Sequence, residues 1–190
     1  MLGALEDRTV SLALAFDGYD LGEIEVGVAA APESRTLLGQ DVLGRFHCEY
    51  RLAEGRLVLN GSTPAYLPVH LGAGGHVLLE LTWPDGTSGT FVFDTGASIS
   101  VVDSSFVAAH PRLFELSGVS TGSDASGTSA QTPAALMEGP SILGHGFPGS
   151  PVAVVDLPGL DGVVGWPLIS LAAWTIDHTA RGAACVPCGR

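Results

Sequence analysis

The sequence predicts an all-β protein with a few short helices, and three observations carry that prediction. Its 190 residues hold 26 glycines and 12 prolines, spread between short runs rich in Val, Thr and Ser, the composition of strands joined by tight turns. Within those runs apolar residues alternate at the period of two that a half-buried strand requires, as in VSLALAF (10–16). A succession of turn, short amphipathic stretch and paired strands occurs twice along the chain. With 46% hydrophobic residues and a mean hydropathy of +0.35, there is material for one generous domain, or one small domain and part of another.

The elements follow in order. VSLALAF and YDLGEIEVGVAA (19–30) flank an Asp17-Gly18 turn and read as a hairpin. Leu37, Leu38 and Gly39 then open an amphipathic stretch, followed by the strand FHCEY (46–50), a turn containing Gly55 and a closing apolar strand to Leu59. The second copy has runs on either side of Pro148-Gly149, then Val163, Val164 and Gly165, the strand WTID (174–177), a turn containing Gly182 and a closing strand to Val186. Between the copies, NGSTPAYLP (60–68) is a linker rich in turn residues. HVLLELTW (76–83) and GTFVF (89–93) flank Pro84-Asp85-Gly86 as a hairpin. A short helix is expected over Asp103–His110, capped by Asp103 or Ser104 and stopped before Pro111. Gly118–Pro133 is polar, small-residued and expected to be flexible.

The formal net charge of −12, from 20 acidic and 8 basic residues, repels phosphate backbones, so no nucleic-acid partner is expected. It serves solubility, or a cleft that works at acidic pH. No segment approaches the roughly 18 consecutive apolar residues of a membrane span. MLGALEDRTV lacks the basic start and apolar run of a signal peptide, and the compartment stays open. Cys185 and Cys188 sit in a C-x-x-C spacing with no helix to follow, which reads as plain thiols or an incidental disulfide. A zinc site there, with Cys48 as the third cysteine, would need a further ligand such as His178. His70, His76 and the other histidines show no metal spacing, so neither metal nor cofactor is expected. Trp83, Trp166 and Trp174 read as packing residues.

Two motif matches fail on context. GHGFPG (144–149) fits a dinucleotide fingerprint, but a strand follows instead of a helix. GVSTG (118–122) would make Ser120 a nucleophile, yet no strand–turn–helix surrounds it.

The chemistry concentrates in FVFDTGASIS (91–100). An apolar strand delivers Asp94 to a turn, and Gly96 lets the turn tighten and expose its carboxylate. Two carboxylates about 3 Å apart share one proton. The ionised member can then take a proton from water while the protonated one polarises a peptide carbonyl. Only one D-T-G occurs. Asp17 does not supply the partner, because it lies 39 − 17 = 22 residues before its glycine element whereas Asp94 lies 165 − 94 = 71 before the other.

FVFDTGASISVVD followed by DGVVG resembles the retropepsin-like aspartic proteases over residues 70 to about 188. The resemblance implies an all-β acid-protease lobe at 70–190, a linker at 61–69, and a partial copy of the lobe's back half at 1–60. It implies a catalytic Asp94 on a loop supported by Thr95, Gly96, Ala97 and Ser98, with Thr95 able to bond to a partner lobe. Val163, Val164 and Gly165 become the supporting element. Gly118, Thr121, Gly122 and Gly127 belong to a flap, whose tip lacks an aromatic. Trp166-Pro167 departs from the family pattern and puts the local helix start in question. Ala97 replaces a hydroxyl residue, which implies a working pH of about 5 to 6. The implied function is an aspartic endopeptidase acting on peptide or protein substrates, its second aspartate supplied by a homodimer, a strand-exchanged oligomer or a missing segment. The alternative is an inactive peptide-binding module that adds a strand to its ligand.

Overall fold

The computed structural model describes residues 9–16, 18–28, 38–61, 65–123 and 129–188. They fall into two compact units, one within 1–37 and 121–131, the other within 38–120 and 132–190. Strands dominate both, and the all-β expectation holds. No helix among the described residues is long and apolar enough to cross a membrane.

In the first unit β1 (Thr9–Phe16) and β2 (Tyr19–Gly27) form the expected antiparallel hairpin. Gly18 turns it at φ 81°, and the register shifts between Leu14 and Ala15. Asp17 lies outside the described residues.

The second unit opens with α1 (Gln40–Leu43), β3 (His47–Arg51), β4 (Arg56–Leu59) and the two-residue β5 (Leu67–Pro68). Next come β6 (His70–Leu71), β7 (Val77–Thr82) and β8 (Ser88–Phe93). β7 and β8 pair around Pro84-Asp85-Gly86 as expected, with Gly86 at φ 87°. After β9 (Ser100–Asp103), α2 (Ser104–Ala109) starts where Asp103 accepts from the Ser105 N–H at 2.9 Å; Asp103, not Ser104, is the cap. β10 (Phe114–Ser123) and β11 (Ser129–Met137) are neighbours in the sheet. Strands therefore run through most of the segment read as flexible and polar, because pairing with a neighbour outweighs weak local β-propensity.

β12 (Ser141–Ile142) and β13 (His145–Gly146) form a tight hairpin, followed by β14 (Ser150–Val155) and β15 (Gly162–Val164). The turn expected at Pro148-Gly149 is instead at Leu143-Gly144, with φ 50° and 79°, the doubly left-handed geometry that two-residue hairpin turns demand. α3 (Trp166–Ile169), β16 (Ala172–Asp177) and β17 (Gly182–Pro187) close the chain. The Trp166-Pro167 departure does not block α3, since proline suits a helix's first turn, where no intrahelical donor is needed.

These strands make two sheets. One runs β10-β11-β14-β9-β15-β8-β7-β12-β13, with β6 on β7; the other runs β4-β3-β16-β17-β5. The second sheet joins the two copies of the repeat, because β3 pairs antiparallel with β16. The offset between the glycines of the copies, 165 − 39 = 126, also separates Thr175 from Glu49, and these two face each other. The neighbouring pairs Trp174↔Tyr50 and Ile176↔Cys48 exchange under the same offset. A local two-fold axis therefore passes between Glu49 and Thr175.

The offset holds in detail. Leu43 N–H to Gly39 O (3.0 Å) matches Ile169 N–H to Gly165 O (3.0 Å). Gly44 N–H to Gln40 O (2.8 Å) matches Ser170 N–H to Trp166 O (2.9 Å). The Cys48 thiol donates to Leu43 O, and its counterpart, the Trp174 indole N–H, donates to Ile169 O. Left-handed Gly55 (φ 64°) corresponds to Arg181 (φ 51°). In the lead-in, the pair Phe16↔Tyr19 corresponds to Ile142↔His145. The repeat read in the sequence is thus a structural repeat, in register from residue to residue.

The core of the second unit draws side chains from both sheets. Tyr50 and Trp174, partners across the two-fold, both pack on Phe93, with ring centroids 5.7 and 5.3 Å away. Burying a ring of this size stabilises by roughly 2–3 kcal/mol. Phe93 immediately precedes Asp94, so the two-fold sheet anchors the strand that carries the aspartate.

Candidate active site

Asp94 leaves β8 into a loop that crosses back to β9. Around that crossing, β15 runs parallel to β8 (Val164↔Phe93) and antiparallel to β9 (Val163↔Val101). β15 wedges between the two strands and becomes the floor on which the loop rests. The Asp94 N–H donates to Val164 O at 3.1 Å, and the Trp166 N–H donates to Ala97 O at 2.8 Å. The Gly165 N–H donates to the Ser100 hydroxyl at 3.0 Å. Bonds of this kind hold both ends of the loop to one element.

Two glycines make the fit possible. A Cβ on Gly165 would lie 2.6 Å from Ile99 O and 2.7 Å from Ala97 O, and one on Gly162 would lie 2.4 Å from Val101 O. Gly96 works differently from the expectation. Its φ lies outside the left-handed region, and a Cβ there would sit 3.1 Å from Asp94 Oδ1, close enough to push that carboxylate by a few tenths of an ångström. Its N–H donates to that same oxygen at 2.8 Å.

The result is an exposed carboxylate on a rigid base. One Asp94 oxygen is turned toward the Gly96 amide, and Asp94 makes no ion pair among the described residues. Thr95, Gly96 and Ser98 are exposed and Ala97 is half-buried. Val163 is half-buried beside the fully buried Val164. The structure therefore brings Asp94–Ser98 and Val163–Gly165 together. Gly118 lies in β10, at φ 129°. Thr121 and Gly122, also in β10, belong to the first unit, and Gly127 lies outside the described residues.

The sequence reading missed Ser100, Gly162 and Trp166 as parts of this base. Ser100 is 1% exposed, and the signal available was a lone hydroxyl directly ahead of the apolar pair Val101-Val102. Asp161 was also missed; its carboxylate accepts from the Thr90 N–H at 2.7 Å and its carbonyl from the Asp103 N–H at 2.9 Å, tying β8 to β9.

The other candidates stand apart. Ser120 lies within β10 with no helix after it, and the glycines at 144–149 form the β12–β13 turn and the lead into β14. Trp83 and Trp174 are core residues, whereas Trp166 is exposed. Cys48, Cys185 and Cys188 are free thiols. Burial pushes the Cys48 thiol up, and the Cys185 thiol up to about 11. Burial holds His178 below the usual histidine value. Among the described residues no group of three or more His, Cys, Asp or Glu is placed to hold a metal.

No family model matches this chain, and neither does any curated protein. Among solved structures, the chain is similar to a retropepsin-like aspartic protease from Rickettsia conorii. That similarity covers 56% of this chain and 88% of the other, at 16% identity and a TM-score of 0.40.

Proposed function

We propose that this chain supplies one half of an aspartic peptidase site, with Asp94 as one carboxylate of a dyad that shares a single proton. The observation that carries the reading is the bracing of an exposed carboxylate. Asp94 emerges from a strand anchored on Tyr50 and Trp174, onto a loop fixed through Val164, Gly165 and Trp166. Such a base suits a group that must hold its position while its proton moves.

In the dyad the ionised carboxylate accepts a proton from water, and the water oxygen bonds to the peptide carbonyl carbon. The protonated carboxyl donates to the developing oxyanion. Collapse of the tetrahedral species breaks the C–N bond as the amine takes up a proton. The two carboxyls titrate as a pair. Thr95 and Ser98 line the loop, and the segment around residues 118–131 serves as the flap. On this reading residues 1–60 are the back half of a first lobe, 61–69 a linker and 70–190 a complete lobe.

Two routes supply the second carboxylate, a second chain or a further segment. The pairing of β3 with β16 favours the segment. The β16 edge on which a symmetric partner lobe would pair is occupied from within the chain, by the chain's own half-copy.

A second reading is a peptide-binding module without catalysis, favoured by Leu116 and Val119, 71% and 68% exposed along β10. Cleavage of a diverse peptide library between about pH 3 and 7, at several protein concentrations, separates the possibilities. A rate rising with the square of concentration points to two chains. Peptide binding with no cleavage, even once a second D-T-G segment is supplied, leaves the module.

A further inference from the structure

The local two-fold allows each residue of the second copy to be compared with its mate in the first, and one patch differs consistently. Val164 is fully buried, whereas its mate Leu38 is 39% exposed. The Gly165 and Trp166 amides donate to Ser100 Oγ and Ala97 O. The amides of their mates Gly39 and Gln40 have no partner among the described residues. A Cβ on Gly165 would strike the backbone of residues 97 and 99, but one on Gly39 would meet only the movable Asp41 carboxylate. Gly39 is also in extended backbone (φ −87°, ψ −179°), so nothing described around it demands a glycine. Gln40 keeps its Oε1 buried without a hydrogen-bond partner.

The same contrast recurs at the sheet edge. β17 carries β5 on its outer side, through Gly182↔Pro68 and Ala183↔Leu67. Its mate β4 ends the sheet, with no strand on Arg56 and Leu57 among the described residues. Ala183 and Cys185 are buried, whereas their mates Leu57 and Leu59 are only partly so. Among the described residues, two separate places in the first copy thus lack cover where one stretch, residues 66–100, covers the second copy.

We propose that Leu38–Gln40 and the outer edge of β4 form a docking surface for a polypeptide segment built like residues 66–103. That segment contains a short strand for β4, an apolar hairpin and a loop of Asp-Thr/Ser-Gly type for the Gly39 turn. A second copy of this chain is not the occupant. Its own loop is already held by its own Gly165, so each added copy brings another open Gly39 turn. The inference rests on reading Asp94 as half of a dyad only for its consequence; the docking itself rests on the two-fold.

The test adds a copy of residues 65–128 to the full chain, first as a separate polypeptide. It is then joined ahead of Gly3, the position that the offset equates with Ser129. Backbone hydrogen exchange is followed at Gly39, Gln40 and the outward-facing Leu57. These amides are expected to slow at least about tenfold in the joined form, while those of Gly165 and Trp166 are unchanged. The separate polypeptide is expected to bind one-to-one and to lose binding when Leu38→Asp is introduced. Leu38→Asp should leave the melting temperature of the unextended chain unaltered. Unchanged exchange in the joined form overturns the proposal, as does self-association of the unextended chain that Leu38→Asp abolishes. Protection without peptide cleavage upholds the docking and counts against the dyad.

Discussion

Glu49 and Thr175 face each other across β3 and β16, and the chain's internal two-fold passes between them. Strands β3 and β4 of this sheet have mates 126 positions on in β16 and β17, whereas β5 and the loop that carries Asp94 occur once. The aspartate loop is present once, on a scaffold with two places for it.

The two glycines of the repeat should respond differently to the same substitution. Gly165→Ala presses a methyl against backbone oxygens of the Asp94 loop, and overpacking of that kind costs about 1–3 kcal/mol. Gly39→Ala displaces only the Asp41 side chain and should stay within about 0.5 kcal/mol of wild type. Chemical denaturation of both variants checks this, and equal losses would contradict it.

Asp103 should give the fold a pH-dependent contribution. Its buried carboxylate accepts from the Ser105 hydroxyl, from the Leu157 N–H at 2.6 Å and from the Ser105 N–H. The bond from the Ser105 hydroxyl is the largest influence holding its pKa below the usual value. The folded-state value is therefore below the unfolded one of about 3.9. The contribution is whole above that pH and is lost as pH falls through the folded-state value. Asp103→Ala is expected to cost roughly 1–2 kcal/mol at pH 6, with the gap to wild type narrowing toward pH 3. A gap that does not change with pH would count against this assignment.

The thiols should separate by reactivity. Cys48 is 0% and Cys185 5% exposed, and Cys188 is exposed. Burial also keeps the first two protonated at pH 8. Brief alkylation at that pH should label Cys188 alone, with all three labelled after unfolding, as read by mass spectrometry. Rapid native labelling of Cys185 would mean that β17 opens readily.

The repeat was legible because it is ungapped between Gly39 and Leu59, and its turn, helix and strands recur in fixed order. The Asp94 loop was legible because an apolar strand ending in Asp-Thr-Gly is locally distinctive. The pairing of β3 with β16 was not, because strand partners more than a hundred residues apart leave no mark in either strand's own pattern. The lead-in turn was misplaced because Pro-Gly is the stronger turn dipeptide, whereas the structure turns at Leu143, a residue type that seldom adopts positive φ. Ser100 escaped notice because its role depends on the Gly165 amide, 165 − 100 = 65 residues along the chain.

Whether Asp94 works as half of a dyad is read most directly on the chain extended ahead of Gly3 by a copy of residues 65–128, which then carries Asp94 and its duplicate. Peptide-library cleavage is measured between about pH 3 and 7 for this chain and for variants with either aspartate, or both, changed to Asn. Cleavage is expected in the parent, with a loss of at least about a thousandfold in each single variant. The double variant should be no worse, because residues that act as a unit are not additive. Cleavage that survives Asp94→Asn, or single losses that multiply in the double variant, would contradict the dyad.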